Sequence, residues 1–379
     1  FNEEEVGNMR HTIIAAAAVL LFVTGLAFGE GQQEGAEESV ELEGAGASFV
    51  APLMTAWADE YRDVTDGRVT VNYQSIGSGG GIRQFLEQTI MFGATEAHLT
   101  DEQIEDVEAD TGGTAFNVPI TLGAVAPTYN VPGVESGLVF DGELLADIFM
   151  GEVTSWDDDR IQELNPDVDL PSESIQVVHR SDGSGTTNVW TNYLSKVSDE
   201  WDEQIGWGTS VDWPTGIGGN GNEGVAGAVQ NNTGAIGYNS LIYATGNDIP
   251  YGSIVNQSGN AIEPSIESAG LAANTELPDD TRALVTDTTA EDGYPAAGFS
   301  WVMVYEHFDE NDAIDTELQA EEIVRFLVWM VTDGQEISND LDFARLEETP
   351  QEKGLDMIRQ IKWEGENIGE AIVEEHMGS

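Results

Sequence analysis

Residues 179–187 read HRSDGSGTT, which places an arginine, a carboxylate and several small hydroxyl and glycine residues directly before an amphipathic stretch. A guanidinium binds tetrahedral oxyanions in a bidentate manner, and hydroxyls and exposed N–H groups can complete such a site. The chain nevertheless carries 70 Asp and Glu against 13 Lys and Arg, a formal net charge of -57. An approaching anion is therefore repelled until it reaches a local site that reverses the sign.

Two further glycine-rich loops precede predicted helices. Alternating apolar residues at 69, 71 and 73 predict a strand, the run GSGGG follows at 77–81, and apolar residues at 82, 85, 86 and 90 predict a helix. Near the start of the chain, GAGASF at 44–49 precedes Pro52, with Leu53, Trp57 and Tyr61 at helical spacing. The first loop likewise lies between a predicted strand at 175–179 and a helix lined by apolar residues from 189 to 197.

A helix start leaves up to four N–H groups without an intrahelical partner and carries roughly half a positive charge. Several starts that converge can hold an anion with few cations. The alternation of strands and helices predicts α/β layers with mostly parallel sheets. The length of 379 residues favours two domains.

Other site chemistries fit the sequence less well. The run at 77–81 lacks the Gly-Lys-Ser/Thr ending of a Walker loop and the spacing of a dinucleotide loop, which argues against nucleotide binding. His179, Asp182 and Ser184 are too close on one extended loop to form a catalytic triad. The five histidines are scattered, and we expect no metal site and no cofactor.

The first residues resemble an export signal. Met9, Arg10 and His11 form a short basic start, residues 12–28 are apolar, and we expect cleavage after Gly29. Residues 1–8 are then a start-site artefact, residues 9–29 a signal peptide and residues 30–39 a flexible leader. An uncleaved membrane anchor is the alternative. Because the chain has no cysteine, it cannot carry an acylated cysteine, so we expect it to be free in a periplasm.

The acidic composition also bears on partners. Nucleic acid is excluded because the chain lacks the basic surface that binds phosphate backbones, and an anionic membrane is disfavoured for the same reason. We interpret the excess of acidic residues as adaptation to a salt-rich habitat, where the Debye length falls to about 3 Å at 1 M and surface repulsion is screened.

Four motifs in sequence order resemble those of the periplasmic phosphate-binding proteins (PstS type), which feed the high-affinity phosphate ABC importer. They are GAGASF (44–49), IGSGGG (76–81), FGATEA (92–97) and RSDGSGT (180–186). The resemblance continues through GNEGVA (221–226), GAIGY (234–238) and NDLDF (339–343), which we interpret as structural segments.

The resemblance implies a set of phosphate-binding residues. Arg180 would supply the full positive charge, Asp182 would hold its guanidinium, and Glu96 would accept the proton of bound phosphate. Glu96 stands where the family usually has aspartate, and Ser48 stands where threonine is common. The implied ligand residues are Ser48, Phe49, Ser78, Glu96, Arg180, Asp182, Ser184, Gly185 and Thr186.

The resemblance also implies a type II periplasmic binding protein fold, with two α/β lobes joined by two crossing strands around a cleft. Apolar runs at 118–129 and 297–305 are the candidate crossings, so residues 40–119 and 298–379 would form lobe one and residues 120–297 lobe two. The function implied is capture of inorganic phosphate for the permease and ATPase subunits of an ABC importer, by a monomer that is not an enzyme. The alternatives are a secreted phosphoester hydrolase or a binding protein for another tetrahedral oxyanion.

Overall fold

The computed structural model of the chain describes residues 39–273 and 277–378. The predicted artefact at 1–8, the signal peptide at 9–29 and all of the leader except Ser39 lie outside the described residues. No helix in the described ranges is long and apolar enough to cross a membrane.

Thirteen strands lie in the described part of the chain. They are β1 (Val40–Gly46), β2 (Val69–Ser75), β3 (Phe92–Thr95), β4 (Ala115–Asn130), β5 (Val139–Phe140), β6 (Gln176–Arg180), β7 (Ile217–Gly219), β8 (Ala235–Ser240), β9 (Ser253–Val255), β10 (Ala261–Ile262), β11 (Ala297–Tyr305), β12 (Lys362–Trp363) and β13 (Glu366–Asn367).

The α-helices of the same residues are α1 (Ala51–Val64), α2 (Ser78–Leu86), α3 (Asp101–Thr111), α4 (Gly142–Met150), α5 (Asp159–Leu164), α6 (Gly185–Val197), α7 (Asp199–Gln204), α8 (Gly221–Asn231), α9 (Leu241–Thr245), α10 (Ile266–Ala272), α11 (Glu317–Val331), α12 (Gln335–Ser338), α13 (Glu348–Ile358) and α14 (Ile368–Gly378). Two 3₁₀ turns span Phe308–Glu310 and Asn339–Leu341.

Eight strands form one mixed sheet in the order β2-β1-β3-β11-β4-β8-β6-β7. The outer pairs are parallel, as the alternation of strands and helices predicts. The central strands β11 and β4 are antiparallel to each other and to their outer neighbours β3 and β8. The expectation of mostly parallel pairing therefore holds for the two sides of the sheet and is wrong for its centre.

Strand β4 belongs to both sides of the sheet. Residues 115–124 pair with β11, and residues 125–130 pair with β8. All of its 16 residues except the last are buried, which explains why the apolar run at 118–129 shows no alternation. The second candidate crossing, at 297–305, is the buried strand β11. The result is a two-lobed α/β fold in which β1, β2 and β3 lie on one side of this central pair and β6, β7 and β8 on the other.

The three loop-to-helix junctions predicted from the sequence are present. Helices α1, α2 and α6 begin after short loops at 47–50, 76–77 and 181–184, so the first glycines of the predicted loop at 44–49 are the end of β1. Leu53, Trp57 and Tyr61 are on the buried face of α1. The predicted helical face at 82–90 is too long, because α2 ends at Leu86 and Gln88 has a φ of 55°, in the left-handed region. Ile90 is buried beyond the helix.

Helix α6 is fixed across β8 by aromatic packing. The rings of Trp190 and Tyr238 are stacked with centroids 5.5 Å apart and planes 9° from parallel. The Tyr238 hydroxyl accepts a hydrogen bond from the backbone N–H of Arg180 at 3.1 Å and shares one with Thr187 Oγ1 at 2.7 Å. One buried tyrosine thus holds the end of β6 and the start of α6 together.

Candidate functional site

Four helix starts meet between the two sides of the sheet. Ser48 and Phe49 precede α1, Ser78 begins α2, Gly185 begins α6 and Gly221 begins α8. The backbone N–H groups of a first helical turn have no carbonyl partner within their own helix, so those that no neighbouring residue engages are available to a ligand. The positive ends of four helix dipoles therefore lie around one region.

The loops before α2 and α6 are in direct backbone contact. Gly79 N donates to Gly183 O at 2.9 Å. Gly77 has a φ of 81°, and a Cβ added there would lie 2.3 Å from Asp182 Oδ2 and 2.7 Å from Gly183 O. Glycine is required at this position both for its backbone conformation and for the close approach.

Arg180 ends β6 and supplies the positive charge of this region. Its side chain is 1% exposed, and it forms a bidentate pair with Asp182 through Nε–Oδ1 at 2.8 Å and Nη2–Oδ2 at 2.5 Å. Nη1 donates to Thr186 Oγ1 at 3.3 Å. The planar guanidinium is therefore held in one orientation before any ligand binds.

Asp182 is ionised because of its partners. Partial burial alone would raise its pKa, but hydrogen bonds from Arg180, the charge of Arg180 and a hydrogen bond from Gly221 N outweigh burial and hold the pKa below its usual value. The Gly221 N–H donates to Oδ1 at 3.1 Å. Asp182 therefore joins the end of β6 to the start of α8, in addition to orienting Arg180.

Glu96 follows β3 and is completely buried. Its Oε1 accepts a hydrogen bond from Ser300 Oγ of β11 at 2.9 Å, and its Oε2 accepts one from Ser78 Oγ at 3.3 Å. A Cβ on Gly185 would lie 2.5 Å from the same Oε2. The extra methylene of glutamate thus leaves the carboxylate between the starts of α2 and α6.

Burial raises the pKa of Glu96 to about 7, while the hydroxyls of Ser300 and Ser78 and the charge of Arg180 oppose this rise. A carboxyl with a pKa near neutrality readily shares a proton at physiological pH. The cluster thus contains one fixed cation and one group that can accept or hold a proton.

Ser48 follows β1 and Thr186 follows β6, on opposite sides of the central strand pair β4 and β11. Asn222 of α8 joins them. Asn222 Nδ2 donates to Ser48 Oγ at 3.1 Å and to Thr186 Oγ1 at 2.9 Å. Tyr243 Oη donates to Ser48 O at 2.6 Å. These contacts connect the loop before α1 with α6, α8 and α9.

The remaining predicted residues have local roles as well. Ser184 is the N-cap of α6, where its Oγ accepts from Thr187 N at 3.0 Å. The Phe49 ring is in the core against Phe343, with centroids 5.7 Å apart. Its backbone N–H is the part of Phe49 that lies at the helix start.

All nine predicted residues lie in or next to this cluster, but sequence reasoning missed two members. Asn222 lies in the segment 221–226, which we interpreted as structural, and its contacts with Ser48 and Thr186 make it part of the cluster. Ser300 lies within the apolar run 297–305. A serine in the middle of an otherwise hydrophobic, fully buried strand was a signal that could have pointed to Ser300.

The raised pKa of Glu96 predicts a pH-dependent stability difference. The folded protein holds this proton more tightly than the unfolded chain, so the resulting stabilisation is complete below pH 4.5 and is lost as the pH rises through about 7. Glu96→Gln carries no such proton. Its free energy of unfolding relative to the unmodified protein should therefore rise between about pH 4 and pH 8, by on the order of 3 kcal/mol, at about 1.4 kcal/mol per pKa unit.

Urea unfolding without phosphate and at constant salt measures this difference. Glu60→Gln makes the same chemical change at an exposed position of α1 and serves as the control. If the free energies of unfolding of Glu96→Gln and of the unmodified protein change in parallel across this pH range, the prediction is wrong.

Comparison with known proteins adds independent information. A family model described as a PBP superfamily domain matches residues 31–333. The chain is 40% identical over 313 residues to the phosphate-binding protein PstS of Xylella fastidiosa (strain 9a5c), covering 82% of each chain. It is 38% identical over 311 residues to the phosphate-binding protein PstS of Pasteurella multocida (strain Pm70), covering 81% of this chain and 86% of that one.

The fold is similar to a solved phosphate-binding protein from Stenotrophomonas maltophilia. The TM-score is 0.61 at 16% sequence identity, and the match covers 83% of this chain and 92% of that chain. At this identity the similarity supports the two-lobed fold, and the sequence relatives carry the family assignment.

Proposed function

Because the chain belongs to the family of PstS-type phosphate-binding proteins, we propose that it captures inorganic phosphate between its lobes and delivers it to an ABC importer. It is a binding protein rather than an enzyme, so capture and release make and break no covalent bond. The observation that carries the proposal is that one pre-oriented arginine, Arg180, and one buried carboxyl, Glu96, both lie at converging helix starts.

This pairing suits an anion that carries a proton. Phosphate near neutral pH retains at least one proton, whereas sulfate retains none. Glu96 Oε2 can accept the phosphate proton, but it faces a sulfate oxygen as one acceptor against another. A buried acceptor without a donor costs about 1–3 kcal/mol, and a charged acceptor costs more. This penalty applies to bound sulfate and not to bound phosphate, so the site favours phosphate.

The other residues of the cluster act as donors. The Ser48 and Thr186 hydroxyls donate to phosphate oxygens, whereas the Ser78 hydroxyl donates to Glu96 Oε2. The backbone N–H groups of Phe49, Ser78 and Gly185 add donors from three helix starts, and Arg180 adds a charge-assisted pair. Asp182 holds Arg180, and Ser184 caps α6 beside the ligand. We keep the ligand set as Ser48, Phe49, Ser78, Glu96, Arg180, Asp182, Ser184, Gly185 and Thr186.

Phosphate binding is coupled to closure of the lobes. We assign residues 40–119 and 298–379 to lobe one and residues 120–297 to lobe two, with β4 and β11 as the crossings. The bonds Gly79–Gly183, Asn222–Ser48 and Tyr243–Ser48 join the two sides in this closed arrangement. Because ligand contacts from both lobes are complete only when the lobes are closed, phosphate shifts the population toward the closed form.

The closed form is the one that the importer recognises. The partners are the permease and ATPase subunits of a phosphate ABC importer, and the protein acts outside the cytoplasm as a monomer. Its release of phosphate follows from reopening of the cleft at the permease.

Isothermal titration tests the proposal directly. Phosphate is expected to bind tightly and sulfate at least about 100-fold more weakly, with arsenate as a third ligand, and no phosphoester hydrolysis should accompany binding. Turnover without tight phosphate binding, or a preference for another tetrahedral oxyanion, would overturn the assignment.

Gly185→Ala is expected to weaken phosphate binding at least about tenfold without unfolding the protein. The added Cβ would lie 2.5 Å from Glu96 Oε2 and 2.6 Å from Ser78 Oγ, so the closed arrangement is overpacked. Overpacking costs roughly 1–3 kcal/mol, and 1.4 kcal/mol corresponds to a factor of ten in affinity. Titration with phosphate measures the loss.

Gly227→Ala is the matched control, because it makes the same change in helix α8, where the new Cβ has no atom within 4 Å outside its sequence neighbours and the backbone of its own helix. It should leave the affinity unchanged. Equal affinities for the two variants would show that Gly185 does not lie at the phosphate.

A further inference from the structure

Asn222 is a completely buried amide whose orientation is fixed by its surroundings. Its Oδ1 accepts a hydrogen bond from the Ser240 backbone N–H at 2.9 Å. A backbone N–H can only donate, so the oxygen of this amide must face Ser240 and Nδ2 must face the other way. Both hydrogens of Nδ2 are then directed at Ser48 Oγ and Thr186 Oγ1.

The Ser48 hydroxyl has no acceptor capacity left after these contacts. Its Oγ accepts from Asn222 N at 3.0 Å and from Asn222 Nδ2 at 3.1 Å. A hydroxyl has two lone pairs and one hydrogen. With both lone pairs used, Ser48 interacts with a ligand only as a donor.

The Thr186 hydroxyl likewise has both of its lone pairs engaged. Its Oγ1 accepts from Asn222 Nδ2 at 2.9 Å and from Arg180 Nη1 at 3.3 Å. The hydrogen of Thr186 therefore also points away from Asn222 and Arg180. One amide thus determines the direction of two hydroxyl hydrogens from opposite sides of the cleft.

We infer that Asn222 is a positioning residue that makes Ser48 and Thr186 obligate donors toward the anion and does so only when the lobes are closed. This inference rests on the proposed function and deepens it. Ser48 and Thr186 then select unprotonated oxygens of the ligand. The protonated oxygen is left to Glu96, the acceptor in the cluster, so phosphate binds in one orientation.

A double-mutant cycle with phosphate as the titrant tests this role. As a single substitution, Asn222→Ala should weaken phosphate binding about tenfold or more, because the Ser48 and Thr186 hydroxyls are then no longer held with their hydrogens toward the ligand. In a Ser48→Ala or a Thr186→Val background the same substitution should cost clearly less, because one of its two target hydroxyls is gone. A purely structural role predicts the same cost in every background.

Asn239→Ala is the matched control. The Asn239 amide donates to Asn222 O at 2.8 Å and accepts from Thr128 Oγ1 at 3.0 Å, so it belongs to the same buried network. Neither of these two side-chain hydrogen bonds involves Ser48 or Thr186. It should lower the affinity less than Asn222→Ala, and its cost should be the same with and without Ser48→Ala.

The outcomes separate this inference from the proposed function. Equal costs of Asn222→Ala in all three backgrounds would overturn the positioning role while phosphate binding itself stands. Absence of phosphate binding by the unmodified chain would overturn the proposed function, and this inference with it. If Asn222→Ala does not fold, Asn222→Ser replaces it: it retains one donor, and an intermediate loss that shrinks in both backgrounds is the expected result.

Discussion

Arg180→Ala is expected to abolish measurable phosphate binding while the fold is retained. The substitution removes the positive charge of the cluster and leaves Asp182, now without its bidentate partner, facing the anion. Truncating one partner of a buried, hydrogen-bonded charge pair between protein and ligand typically costs about 2–5 kcal/mol of binding free energy, so the affinity should fall on the order of 100-fold or more. Isothermal titration with phosphate, combined with a thermal unfolding curve, measures both parts of the prediction.

Arg160→Ala provides the matched control for this experiment. Arg160 also contacts two aspartates, Asp147 and Asp158, but its side chain is 49% exposed and lies on α5. Its removal changes the net charge by the same amount and should leave the affinity within about threefold, as expected for an exposed pair. An Arg180→Ala protein that binds phosphate as tightly as Arg160→Ala would place the anion elsewhere.

Glu96→Gln is expected to narrow the preference for phosphate over sulfate by at least about 100-fold. In the unmodified protein Ser300 occupies Oε1, and Oε2 faces the region between Ser78 and Gly185. In the variant, the glutamine oxygen can keep the bond from Ser300 while its NH₂ group takes the place of Oε2. An NH₂ group at that position can donate a hydrogen bond to an unprotonated sulfate oxygen, so the free-energy penalty against sulfate disappears.

Parallel titrations with phosphate and sulfate at constant salt measure this change. Glu96→Asp is the control, because it keeps a carboxylate and should keep the sign of the preference. A phosphate preference that survives in Glu96→Gln would remove Glu96 from the selectivity argument and leave the donor groups to account for it.

The local part of the site was predictable from the sequence. The loops before α1, α2 and α6, the buried face of α1 and the proximity of Arg180 to Asp182 all follow from spacings of a few residues. Such short spacings are governed by local backbone geometry and by the periodicity of apolar residues. The two long central strands were recognisable as apolar runs for the same reason.

Other features depended on residues far apart in the chain. Asn222 contacts Ser48 across 174 positions, and Ser300 contacts Glu96 across 204. The run at 221–226 gave no sign that its asparagine would meet two hydroxyls, and glutamate at position 96 was compatible with a side chain that points either way. The extent of α2 was also misjudged, because a left-handed residue at Gln88 interrupts an apolar spacing that would otherwise continue.

The sequence by itself therefore determined the donors: an arginine beside an aspartate, and helix starts rich in glycine and hydroxyl groups, since these are local patterns. Only the tertiary structure decided which groups face one another. It buries the Glu96 carboxyl between two helix starts, which raises its pKa to about 7, and it directs the Asn222 amide at Ser48 and Thr186. Burial and mutual orientation are properties of the tertiary fold, because they arise when distant segments exclude water and fix each other's hydrogen bonds.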